Sequence, residues 1–347
     1  MTLKSGSYST ARNMKWGFGL LVVLLVSYGL VSSWNSWQTE KAHESSHLVT
    51  ISELNSRFLD AYFMRFETGM GSLAREVLNE NPLKNTARVH ALLMRFKQEN
   101  PDLLIVNLNR ADGQMLVSTE AKPGTPLPSM SNSSSFLVAR DELQGGGSAF
   151  NIGRPLFGPL AKDWVIPLRY GIRDSQGKLL YILGAVLPHS RQQTFWQNLS
   201  LPENSSLGLL RDDAYLVSRY PLPNKVELGE VYGKPRTGAL VNHLKSKRFP
   251  GRGVLEGYNS IERSSNIFAF HRLSHYPLTL FIITPVSNIQ AKWWKQEQLT
   301  FLLLPLVLMG SFVVYRRTAR RQIAWEQERE KHQERFRLIF EGSSDAI

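Results

Sequence analysis

Cysteine is absent from the 347 residues, which removes disulfide bonds, thiolate catalysis and cysteine-ligated zinc together. Its absence suits an oxidising compartment without requiring one. A GxSxG turn, a Walker phosphate loop and a dinucleotide fingerprint are also missing, so serine-hydrolase, nucleotide-hydrolysing and dinucleotide-dependent chemistries have no foothold. Gln144-Gly145-Gly146-Gly147 reads as a loop rim, not a phosphate cradle. Acidic residues are the scarcer sign, 29 against 41 Lys and Arg, for a net charge of +12. The excess is diffuse. With no zinc-finger spacing, Gly-aromatic RNA motif or long basic helix, nucleic acid is not expected as a partner. Hydrophobic residues make up 42% of the chain, too many for a disordered protein and enough for a sizeable core.

Charge is missing altogether from two runs. Trp16 to Trp34 carries tryptophan at both ends and reads as a transmembrane helix with interfacial anchors. A cleaved signal peptide is the rival, since Lys4, Arg12 and Lys15 form a basic start, but no Ala-x-Ala site follows Val31. The second run, Leu299 to Tyr315, ends against Arg316, Arg317, Arg320 and Arg321. Pro305 would kink it, which helices in lipid tolerate. Positive charge thus flanks the outer ends of both runs, so both termini are expected in the cytoplasm and residues 35–298 outside the membrane.

Between the runs, Gln38 to Asn79 holds no proline. Leu48, Ile51, Leu54, Phe58, Tyr62, Phe66, Leu73 and Val77 recur in steps dominated by three and four, which predicts one long amphipathic helix ended by Asn81-Pro82. A second helix is expected from Thr86 to Gln98. Strand pairs follow: a hairpin turning at Ala111-Asp112-Gly113, another over Trp164–Leu187 turning at Asp174-Ser175-Gln176-Gly177, a third over Leu207–Pro221, and Ile267–Val286 as a fourth. Asp112, Gly113, Asp174 and Gly177 are turn residues. Lys122–Ser135 and Gln144–Gly147 read as loops around a pocket.

A long helix leaving a membrane span, two successive hairpin-rich units and a return to the membrane resemble the double Cache sensors, tandem PAS-like modules. Ile152–Leu187 is similar to the distal-module signature of Cache domains fused to diguanylate cyclases and phosphodiesterases. Leu201–Pro221 resembles the start of the proximal module, and Tyr276–Ser287 its last strand. Separately, Glu334–Ile347 looks like the opening of a cytoplasmic PAS domain, through Phe336, Ile339, Phe340, Ser343, Asp345, Ala346 and Ile347. The resemblance implies an α+β fold: a long N-terminal helix with two stacked PAS-like antiparallel-sheet modules, flanked by two transmembrane helices. Its divisions are a cytoplasmic start (1–15), a span (16–34), the sensor (35–298), a span (299–315), a signal helix (316–335) and the start of a PAS domain (336–347). The distal module covers about 82–195 and the proximal about 200–287.

Candidate sites are few. His43-Glu44-Ser45-Ser46-His47 spells HExxH, which on a helix offers two imidazoles and a general base to zinc. Ser45 stands where zinc proteases carry a bulky apolar residue, and the motif lies just outside a span, so a solvated helix face is the better reading. No metal, cofactor or catalytic residue is expected in this segment. Amino-acid-binding Cache domains grip the ligand with a Tyr, Arg, Trp and Asp set, which this sequence lacks: the Arg and aromatic pair corresponds to Ser133–Leu137, and the acid to Pro188. Arg154, Trp164, Arg169 and Tyr170 are left as ligand-binding candidates that suit an anion or a planar molecule.

The expectation is therefore the sensing region of a bacterial inner-membrane receptor with a periplasmic sensor, a small-molecule and preferably anionic ligand, and a homodimeric state. The output implied by the resemblance is cyclic-di-GMP synthesis or hydrolysis by GGDEF and EAL domains. A histidine kinase or a chemoreceptor is the alternative, the latter disfavoured because no HAMP bundle follows the second span. A membrane-anchored zinc hydrolase is the alternative of another class.

Overall fold

A computed structural model describes residues 7–158, 163–189, 196, 201–222, 228–259, 261 and 263–344, with backbone alone for 7–13, 326, 330, 333 and 336–344. Of the resembling PAS opening, Asp345 to Ile347 lie outside these residues, as does Lys4 of the basic start. The chain divides into two compact units, residues 1–43 with 289–347, and residues 44–288.

The first unit pairs the start of helix α1 (Ser7–Asn79) with helix α6 (Val286–Ser344). Phe18 stacks on Tyr315 at 4.5 Å, Gly29 lies against Leu304, and Trp37 meets Trp293 edge-on at 5.9 Å, so the two helices run antiparallel. Gly29 matters here because a side chain at that position would collide with Leu304. Both helices are long and apolar enough to cross a membrane. Leu20, Leu24, Leu302 and Leu306 point outward, which costs nothing in lipid and would be unfavourable in water. α6 continues through Pro305 and through 316–335 without a break.

In the second unit, α1 runs on to Asn79 because the sequence holds no proline before Pro82; Asn81, at φ 52°, ends it. The apolar run from Trp16 to Trp34 and the amphipathic stretch that follows belong to one helix. Its buried face follows Leu48, Ser52, Ser56, Leu59, Phe63, Phe66, Met70, Leu73 and Val77. This corrects the expected stripe: Leu54 and Phe58 are 63% and 51% exposed. The reason is polar. Asp60 on the buried face accepts the backbone N–H groups of Ser274 and His275 at 2.8 and 3.2 Å, and Ser56 bonds His271 Nδ1 at 2.8 Å. Hydrogen bonds to a charged carboxylate contribute roughly 2 kcal/mol each, so this turn is tied to the helix by groups that hydrophobic periodicity ignores.

The distal module starts with α2 (Thr86–Glu99), whose Val89, Leu93 and Phe96 are buried. Its sheet has the order β2-β1-β6-β5-β3, with β4 also on β5, all antiparallel. The strands are β1 (Ile105–Arg110), β2 (Met115–Ser118), β3 (Phe150–Ile152), β4 (Leu156–Gly158), β5 (Asp163–Arg173) and β6 (Leu179–Pro188). Helix α3 (Ser134–Gln144), not expected from sequence, lies between the two stretches read as loops and overlaps them only at its ends; Ser133 Oγ caps it by accepting the Phe136 N–H. The proximal module repeats the order as β8-β7-β11-β10-β9. It comprises β7 (Ser206–Arg211), β8 (Leu216–Tyr220), α4 (Leu228–Tyr232), α5 (Ala239–Ser246), β9 (Arg252–Asn259), β10 (Ser264–Arg272) and β11 (Leu278–Pro285). Leu216, Tyr232, Leu240, Phe270 and Phe281 share its core. The fold is α+β, with a long N-terminal helix and two antiparallel sheets.

Candidate ligand cavity

A strand's side chains alternate between faces, so β5 sends Val165, Pro167 and Arg169 to one side of the distal sheet and Trp164 and Tyr170 to the other. On the first side lies a cavity of about 430 Å³, within the usual range for small-molecule sites. Its floor is Ile105, Asn107 and Asn109 of β1, Gly184 and Val186 of β6, and the three β5 residues. Leu127, Met130 and Phe136 close it from the loop and from α3.

One row of the floor is polar. Ser118, Asn107, Gly184, Arg169 and Asn151 are register neighbours across five strands. Asn107 Oδ1 accepts from Asn109 Nδ2 at 2.8 Å and lies over Gly184, where any Cβ would collide with it. Arg169 is 5% exposed; its Nη2 donates to Ser135 Oγ at 3.2 Å, while its Nη1 has no hydrogen-bond partner among the described residues. Burial first, and the neighbouring Arg211 second, lower its pKa to about 10, which leaves it protonated at neutral pH. The next row, Ile105, Val186 and Pro167, is apolar.

Behind Arg169, charges link the two modules. Arg211 donates to Asp213 at 3.1 Å, to Glu142 at 3.0 Å and to the Ile152 carbonyl. Arg154 Nε donates to Asp213 Oδ2 at 2.9 Å, with its guanidinium 4.3 Å above the Tyr215 ring. Arg211 and its neighbours hold Asp213 below the usual carboxylate range against the opposing effect of burial.

No protein-family model matches this chain, and no curated protein matches it. Solved structures do. The extracellular domain of rpHK1S-Z16, described as a histidine kinase, aligns at a TM-score of 0.56 and 16% identity over 73% of this chain and 98% of that one. The ligand-binding domain of the Pseudomonas aeruginosa amino acid chemoreceptor PctB, in complex with L-Gln, aligns at 0.52 and 14% identity, covering 74% and 98%. The extracellular domain of mmHK1S-Z2, also described as a histidine kinase, aligns at 0.51 and 14%, covering 72% and 99%. The fold is that of extracellular receptor domains.

Of the four candidate residues, Arg169 alone lines the cavity. Arg154 lies outside the cavity and is engaged by Asp213. Trp164 packs against the proximal core, 5.7 Å from the Tyr232 ring and beside Gly233, because its strand position faces away from the cavity. Tyr170 points at α1, its hydroxyl against Gly71. Pro188 closes β6 opposite Val165. Asn107, Asn109, Gly184 and Phe136 were not singled out from sequence; the signals were two asparagines at alternate positions of an apolar strand and a glycine inside another. His43 and His47 are exposed on α1 and Glu44 is buried. The described residues include no group of three or more His, Asp or Glu placed to hold a metal ion.

Proposed function

We propose that residues 35–298 are the extracytoplasmic sensor of a membrane receptor, that a small anionic molecule binds the distal cavity, and that α6 carries the response through the membrane. The observation that carries this reading is an apolar cavity with a protonated, partly unpartnered guanidinium in its wall. A core built only for stability would fill such a volume, since cavities and unpaired buried charges both destabilise. The likeness to extracellular receptor domains supports it. A free amino acid, the class named for PctB, is the second reading. Against it, Glu120 is the one acid among the described cavity-lining residues, and Lys97 holds it at 2.6 Å, leaving an ammonium no free carboxylate.

For the output, we infer cyclic-di-GMP synthesis or hydrolysis by GGDEF and EAL domains encoded after Ile347, on the resemblance of Ile152–Leu187 alone. A kinase or chemoreceptor signalling domain in the coding sequence there would overturn this. The cavity is tested by thermal unfolding of the chain in lipid nanodiscs against a library of organic anions. A ligand present at a hundred times its dissociation constant adds about 2.7 kcal/mol. Stabilisation should vanish in Val186→Phe, which fills the floor; stabilisation unchanged in that variant, or none from any anion, would refute the assignment.

A further inference from the structure

We propose that the distal cavity takes a carboxylic acid with an apolar body and no ammonium group, seated head-first on the polar row, and that Gly184 sets the space for its head. This rests on the reading of the cavity as the ligand site. Three features of the floor point to this class. The first is a charge imbalance. Among the described residues, Arg154, Arg169 and Arg211 share their cluster with Glu142 and Asp213, so three positive charges face two negative ones. Both carboxylates are spent on Arg154 and Arg211, leaving Arg169 with a neutral hydroxyl for a partner. One anion restores balance, and a buried guanidinium left unpaired is costly by several kcal/mol.

The second is the order of residues across the strands. Asn107 and Arg169 flank Gly184 from the two neighbouring strands, which puts their Cα atoms roughly 10 Å apart. Both side chains rise into the cavity over a residue that has none. Asn107 Oδ1, which accepts from Asn109 Nδ2, is the atom lying over Gly184, so the donors of this gap come from Arg169. A guanidinium whose Nη1 has no hydrogen-bond partner among the described residues suits a carboxylate oxygen. The third is the sharp change to Ile105, Val186 and Pro167 one row away, with Leu127 and Phe136 opposite. These side chains offer apolar contact, and Glu120, the one acid of the described lining, is held by Lys97, so this end accommodates a hydrocarbon body.

The test is equilibrium dialysis of the chain in nanodiscs with three radiolabelled probes of one shape: 3-phenylpropionate, phenylalanine and 3-phenylpropanamide. Protein-free nanodiscs correct for partition into lipid. 3-Phenylpropionate should bind at least about tenfold more tightly than either of the others, roughly 1.4 kcal/mol. Gly184→Ala, whose methyl displaces Asn107, should weaken it by a similar factor, as should Arg169→Lys. Asn107→Leu serves if Arg169→Lys does not fold. Phenylalanine or the amide binding as well as the acid, with loss in Gly184→Ala, would overturn the ligand class while keeping the cavity as the site. Binding indifferent to Gly184→Ala and Asn107→Leu would remove the cavity itself. If no probe binds at millimolar concentration, the class proposed is wrong.

Discussion

His189, next to the end of β6, is buried with its Nε2 2.8 Å from the Tyr232 hydroxyl. Burial lowers its pKa from 6.5 to about 4, with Asp163 pulling weakly the other way. The folded state therefore holds a neutral imidazole where the unfolded chain would bind a proton. Between these two values the unfolded state takes up more protons, so stability falls as pH drops from 6.5 toward 4 and is fully present above 6.5. The size is at most about 3 kcal/mol. Urea unfolding should show this slope, and His189→Gln should flatten it even if the variant is weaker at pH 7. A slope unchanged in the variant would assign it to other groups. At the same scale, the cavity was only faintly legible: the turn residues and Arg169 could be picked out from their sequence surroundings, but the face each β5 side chain occupies depends on which sheet surface the helices cover. Arg154 and Trp164 have chemistry that suits a ligand, and the structure uses them for an ion pair and a core contact instead.

Helices and strands with strong period or proline punctuation were legible in sequence; α1, α2 and the four hairpins follow from them. Elements held by their neighbours were not. α3 sits in a serine- and glycine-flanked stretch and is fixed by Phe136 and Leu143 packing on β6, and β9, whose positions alternate between exposed and half-buried, is held in the sheet by pairing with β10. The misread stripe of α1 leaves Leu54 and Phe58 facing outward on one side of the helix. Exposed apolar residues one turn apart on a long helix are suited to packing against a second copy. Since the chain has no cysteine, Leu54→Cys gives a clean crosslinking probe. Oxidation in membranes should yield a disulfide-linked dimer, far more than Lys245→Cys on α5 does. Monomer alone at Leu54→Cys would argue against α1 as the dimer face.

At the scale of the whole chain, the pairing of α1 with α6 yields a prediction about membrane topology. Because these helices are antiparallel, with Phe18 beside Tyr315 and Trp37 beside Trp293, the ends carrying Lys15 and Arg316 share one side and the Trp37 and Trp293 ends share the other. If the two helices cross a membrane, Arg316, Arg317, Arg320 and Arg321 predict that their side is the cytoplasmic one, since basic residues flanking a span are retained there. Glu40 and Lys292, paired at 3.1 Å near the opposite ends, cancel each other's charge and add no competing bias. An alkaline phosphatase fusion after Gly251 should be active, because the enzyme folds only outside the cytoplasm, and one after Arg321 should be inactive. A fluorescent protein that matures only in the cytoplasm should give the reverse pattern. Replacing the four arginines with glutamine should lower the contrast between the two positions, as the retention signal is charge and not sequence. Activity of the phosphatase after Arg321 in the unaltered chain would mean that α6 does not return to the cytoplasm, and the path proposed from cavity to output would have no way across the membrane.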